Sequence, residues 1–124
     1  MQNSELYRRG IVLALDEAAE DCLRSNDVNE TTCVRLVEIP SDELFLDLWK
    51  LDLFDEINRR CQTTIGDYEQ EIVENSSVEQ VLVAIDAVVP NVDACRWKVL
   101  DFLAKLRTLV QESMELSRPI LFVL

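Results

Sequence analysis

The chain of 124 residues contains no histidine, two glycines and three prolines, and only 6% of it is aromatic. Without histidine there is no Ser-His-Asp or Cys-His catalysis, no HExxH zinc site and no di-iron ExxH arrangement. The phosphate-binding P-loop and the GxGxxG dinucleotide fingerprint are missing as well. Few glycines and prolines leave little punctuation, which favours helices over a turn-rich β fold. Apolar runs stay far short of the roughly 20 residues that span a bilayer. The start, Met-Gln-Asn-Ser-Glu, shows no basic stretch followed by an apolar one, so no signal peptide is expected and the protein reads as cytoplasmic. Four cysteines, Cys22, Cys33, Cys61 and Cys95, form no CxxC pair, and in a reducing compartment they read as small buried apolar groups rather than a zinc site.

What the chain has in excess is carboxylate. Its net charge is −12, and the stretch from Asp42 to Glu74 holds ten acidic residues against Lys50, Arg59 and Arg60, or −7 of that total. Such a field attracts cationic surfaces and repels nucleic acid and anionic membranes. The 48% apolar content supports a core, and the length suits one domain, 1–124.

Periodicity predicts about five helices. Ser4 would cap the first, running to Ser25, with Ile11, Ala14, Leu15, Ala18 and Cys22 as its apolar stripe and Gly10 as a weak point. Thr31–Ile39 is β-branched and partly alternating, and is the best internal strand candidate. Ser41 would open a helix with Asp42 and Glu43 in its first turn, carrying Leu44, Phe45, Leu48, Trp49 and Leu51 on a broad apolar face. Leu53–Cys61 continues or turns from it, and Asp67–Glu74 reads as a short acidic helix. The Ser76–Glu79 spacing suggests a capping box before a stripe of Val78, Val81, Leu82, Ile85 and Val89, ended by Pro90. The longest helix would run over 92–116, with Trp97 off its main stripe. The closing run Ile-Leu-Phe-Val-Leu is too apolar to leave in water. The expected fold is mainly α, one helical domain, with at most a small two-stranded sheet pairing 31–39 with 119–124.

Two metal-like patterns are weighed and set aside. Asp27 to Glu38 has EF-hand spacing, but Thr32 stands where the loop needs glycine and Pro40 breaks the exiting helix. Glu17/Glu20 and Asp52/Asp55 could hold Mg²⁺ on facing helices, as in nucleotide pyrophosphohydrolases, although such pairs arise readily in acidic helices. Phe45, Trp49 and Phe54 read as core. Tyr68, set among Asp67, Glu69 and Glu71, reads either as an interface anchor, which buries a rigid ring and keeps a polar tip, or as a ring half-buried in the core among solubilising charges.

The segments Leu44-Phe-Leu-Asp-Leu-Trp49, Leu53-Phe-Asp-Glu-Ile-Asn58 and Ile65-Gly-Asp-Tyr-Glu69 are similar to stretches of bacterial immunity proteins, the antidotes of contact-dependent growth inhibition and related polymorphic toxin systems. The resemblance covers residues 41–74. It implies a protein that binds and neutralises a cognate toxin domain with a basic surface, many such domains being nucleases; the protein is expected to be non-enzymatic, and no metal or other cofactor is expected. Charge and exposure arguments then nominate Asp47, Asp52, Asp55, Glu56, Asp67, Tyr68, Glu69, Glu71 and Glu74 as the partner-binding surface. The free protein is expected to be a monomer or weak dimer. An acidic secretion chaperone or adaptor is the main alternative, and a Mg²⁺-dependent nucleotide hydrolase a further one.

Overall fold

Gly10–Ala14, Gly-Ile-Val-Leu-Ala, is a short run of small and apolar residues at every position, and such a run suits a strand covered on both faces. It forms β1, buried throughout. The structure, a computed structural model, describes residues 9–25, 32–66 and 69–124. Among them the order is β1 (Gly10–Ala14), α1 (Glu17–Arg24), β2 (Val34–Glu38), α2 (Asp42–Lys50), α3 (Leu53–Cys61), β3 (Gln70–Val73), α4 (Val78–Val88), α5 (Trp97–Leu116) and β4 (Ile120–Val123), with a 3₁₀ turn at Val89–Asn91.

The four strands form one sheet in the order β2-β1-β4-β3. Every neighbour is antiparallel, with Ile11 opposite Val37 and Phe122, and Glu71 opposite Phe122. Alternation along the strands divides the apolar side chains between two faces. Ile11, Leu13, Val37, Val73, Ile120 and Phe122 pack with residues of α2, α3, α4 and α5 in the larger core. Val12, Ala14 and Leu121 point the other way, where Ala19 and Leu23 of α1 cover them. The sheet therefore lies between one short helix and four longer ones.

This architecture overturns the mainly helical expectation: five α-helices accompany a four-stranded antiparallel sheet. The strand expected within 31–39 exists, and so does a terminal strand, but they do not pair with each other. β1 lies between them and bonds to both. The described part of the helix expected from Ser4 to Ser25 is a strand followed by a helix. Asp16 divides the two, its Oδ1 accepting from the Ala19 N–H at 2.7 Å as the N-cap of α1. Ser4 lies outside the described residues. The short acidic helix expected over Asp67–Glu74 is instead β3 over Gln70–Val73. β4 is nearly all buried, and its backbone N–H and C=O groups need partners on both edges. β1 satisfies one edge and β3 the other.

Other elements follow the sequence reading closely. Ser41 caps α2, its hydroxyl accepting from the Leu44 N–H at 3.1 Å. Val78, Val81 and Ile85 of α4 and Val99, Leu103, Leu106 and Val110 of α5 are buried. The capping box does not form, because Ser77 rather than Ser76 takes the N-cap position and makes no side-chain cap bond. The longest helix starts at Trp97, so Cys95 precedes it. Phe45 and Phe54 are buried and Trp49 packs partly buried beside them, with the Trp49 and Phe54 rings 4.8 Å apart. No described helix is long and apolar enough to cross a membrane.

Candidate functional site

The carboxylates nominated from sequence do not share one environment. Three are engaged within the molecule. Asp47, on α2, meets Arg96 at 2.5 Å across the gap to the start of α5, and this contact raises the basicity of the Arg96 guanidinium. The pair lines a notch of about 220 Å³ with Lys50 and Asp93. Glu56, in the first turn of α3, pairs with Arg59 and with Arg60 Nε, the latter at 3.0 Å. Desolvation works against its ionised form, but hydrogen bonds from the two guanidiniums outweigh that and hold the carboxyl below the usual range. Glu74 accepts a two-pronged contact from Arg24 at 3.0 and 2.9 Å, and this hydrogen bonding lowers its pKa.

Arg24 also reaches Glu20 Oε2, and Glu20 Oε1 accepts from Arg118 at 2.9 Å. This network fastens α1 to the end of β3 and to the turn before β4.

Three others remain turned to solvent. Asp52, Asp55 and Glu69 are exposed and make no ion pair among the described residues. Asp52 precedes α3 with a left-handed backbone, φ 70, and its side chain makes no cap bond. Glu69 precedes β3, and its backbone carbonyl accepts from the Leu124 N–H at 3.0 Å. Glu71 is half-buried on β3, within 3.4 Å of the Thr64 hydroxyl. Asp67 and Tyr68 lie outside the described residues.

The basic side chains are distributed differently. Arg9, Arg24, Arg35, Arg59, Arg60, Arg96, Lys105, Arg107 and Arg118 each pair with a carboxylate. Among the described bases only Lys50 and Lys98 lack such a partner. The positive charge is thus used mostly inside the molecule, and the surplus negative charge faces outward.

A second surface was not singled out from sequence. A groove of about 930 Å³ runs between β2 and α5. Its floor includes the buried side chains of Val37, Leu44, Phe102 and Leu109, while Leu36 and Trp97 stand on its walls at 45% and 65% exposure. Arg35, Glu38, Lys98, Asp101 and Lys105 complete the walls. Arg35 is held by Glu112 at 2.6 Å, and Lys105 by Asp101 at 3.0 Å. Trp97 lying off the helical stripe was the sequence signal for this feature. Closing the groove required knowing that β2 is an edge strand beside α5.

The two metal-like patterns lose their geometry. Glu17 and Glu20 belong to α1 on one face of the sheet, whereas Asp52 and Asp55 belong with α3 on the other. Glu20 is already committed to two arginines. Asp27, Asn29 and Thr31 lie outside the described residues, and Glu38 sits in a strand rather than at the start of an exiting helix. Among the described residues no group of three or more His, Cys, Asp or Glu side chains is placed to hold a metal ion.

The cysteines are free and differ in setting: Cys61 is buried, Cys22 intermediate, and Cys33 and Cys95 exposed. Only Cys61 fits the expectation of a buried apolar group, and burial pushes its thiol pKa up. Compared with known proteins, the chain matches no family model, no curated protein and no solved structure.

Proposed function

We propose that this chain is a non-enzymatic immunity protein that binds a cognate bacterial toxin domain and neutralises it by covering a cationic surface. The observation that carries the reading is the asymmetry of charge use: described bases are mostly paired internally, while Asp52, Asp55 and Glu69 are exposed and make no ion pair among the described residues. Exposed carboxylates of this kind steer a basic partner and reject acidic ones. Asp47, Glu56 and Glu74 serve mainly to hold the molecule together, so the contact surface is narrower than charge clustering alone suggests. A basic nuclease cleft is a fitting target, since carboxylates can stand where phosphates would bind.

Co-expression with the product of the adjacent open reading frame tests this. A stable one-to-one complex, together with toxicity of the neighbour when this chain is omitted, is the expected outcome. A harmless neighbour that does not bind would contradict it.

The groove between β2 and α5 favours a second reading, an acidic secretion chaperone or adaptor, because such proteins hold extended segments of their clients against exposed apolar surface. A complex in which two copies enclose an unfolded client segment would decide for that reading.

A further inference from the structure

We infer that the groove between β2 and α5 receives an extended segment of a partner protein, which adds as a strand to the outer edge of β2. The segment would carry apolar side chains in alternate positions and a carboxylate that meets Lys98. This goes beyond the acidic-surface reading, since it uses other residues, and it deepens the chaperone or adaptor reading by naming the chemistry of the segment that the groove holds.

Backbone pairing is the first support. The Ile39 N–H donates to the Arg9 carbonyl and the Leu15 N–H to the Cys33 carbonyl, at the two ends of the β1–β2 register. Bonded and non-bonded pairs alternate in an antiparallel ladder. Arg35 and Val37 therefore bond to β1, while Val34 and Leu36 turn their N–H and C=O groups outward. Among the described residues no strand lies on that side of β2. Edges of this kind are commonly guarded by charged side chains. Arg35, which could do so, is instead drawn to Glu112 on α5.

Shape is the second support. β2 has five residues and the groove beside it measures about 930 Å³, a space suited to a single extended segment rather than to the face of a folded domain. Trp97 is 65% exposed at the mouth, where a large rigid ring can clamp an incoming chain.

Charge selects the occupant. Of the bases that line the groove, Arg35 is paired with Glu112 and Lys105 with Asp101, which leaves the charge of Lys98 to be met. Among the described residues Lys98 has no carboxylate partner, its ammonium lying 5.8 Å from the Trp97 ring centre. A second copy of the chain would bring a further −12 to the same edge and be repelled. A short segment bearing one or two carboxylates avoids that cost and supplies the missing partner of Lys98.

The test is selection of random octapeptides displayed on phage against the intact chain, followed by titration of synthetic winners. Winners are expected to alternate apolar residues and to contain Asp or Glu. Their affinity is expected to fall about tenfold or more on Trp97→Ala and on Lys98→Glu, both exposed sites whose replacement leaves the core intact. Leu36→Pro, which removes an outward N–H without touching the β1 ladder, is expected to act alike. Should that variant fail to fold, N-methylation of alternate peptide amides reads the same bonds from the other side and is expected to abolish binding. Any of four results would overturn the proposal: no enriched peptide, basic winners, binding indifferent to Trp97→Ala and to N-methylation, or a dimer of the chain that Trp97→Ala dissolves. Since the peptide, not the toxin, is the probe, failure here leaves the immunity reading standing, and the reverse also holds.

Discussion

Gly10 occupies a place that no side chain could share. A Cβ built there would stand 2.9 Å from both the Val37 carbonyl oxygen and the Leu36 side chain, and the former is backbone within the sheet. Sequence periodicity put Gly10 inside a helix, where it would only cost some propensity. Its actual role is close approach between β1 and β2, so Gly10→Ala is expected to lower the unfolding free energy by about 1–3 kcal/mol in urea titration. The aromatic trio was more legible. Phe45, Trp49 and Phe54 follow helical spacing among leucines, and they pack together as that spacing implies. Phe54 is fully buried, and Phe54→Ala is expected to cost about 3–5 kcal/mol by the same measurement, since it leaves a cavity that the two other rings fill only in part. The individual carboxylates were legible as charges but not as partners. Nothing in the spacing of Glu74 and Arg24 announces a contact between them, because the fold brings together residues fifty positions apart.

At the scale of elements, local signals identified α2, α4 and most of α5, where the apolar stripes agree with the final packing and, for α2, the Ser41 cap does too. They failed at β1 and β3 for two different reasons. The apolar run of β1 also fits a helical stripe, and only a partner on each edge decides for a strand. β3 is a strand because β4 needs its second edge paired, a demand that lies nearly fifty residues further along the chain. α1 shows how an element is secured from outside itself. It is eight residues long, too short to be stable alone, and buries only Ala19 and Leu23. Its attachment relies in addition on Arg24 with Glu74 and Arg118 with Glu20. The Glu74 carboxyl titrates below its ordinary value, so its contribution is present above the unfolded carboxylate range and is lost as pH falls through the lowered folded value. Protection of the α1 amides, measured against their intrinsic exchange rates, is therefore expected to fall in acid before that of the α5 amides. Glu74→Gln should bring that lower protection to neutral pH and flatten its acid dependence. An α1 as well protected at pH 3 as at pH 7 would show that the ionic network does not hold it.

For the molecule as a whole, the balance of charge was plain in the sequence, but its distribution was not. Composition gives −12; only the fold shows that most of the described bases are drawn into internal pairs and that surplus carboxylates such as Asp52, Asp55 and Glu69 are left on the surface. The fold divides the nominated carboxylates into Asp47, Glu56 and Glu74, paired within the molecule, and Asp52, Asp55 and Glu69, left to solvent. Long-range attraction between such a surface and a basic toxin should raise the association rate at low ionic strength and lose its effect as salt screens it, over a Debye length of about 8 Å at physiological strength. Stopped-flow association across a salt series is expected to slow steeply while dissociation changes little. The measurement that bears most directly on the account is the affinity of the complex with the adjacent gene's product, compared between the natural chain and a triple variant, Asp52→Lys, Asp55→Lys and Glu69→Lys. These side chains make no internal ion pair among the described residues, so thermal stability should be unchanged while affinity falls about a hundredfold or more. A triple variant that binds and protects as well as the natural chain would contradict recognition through the exposed carboxylates.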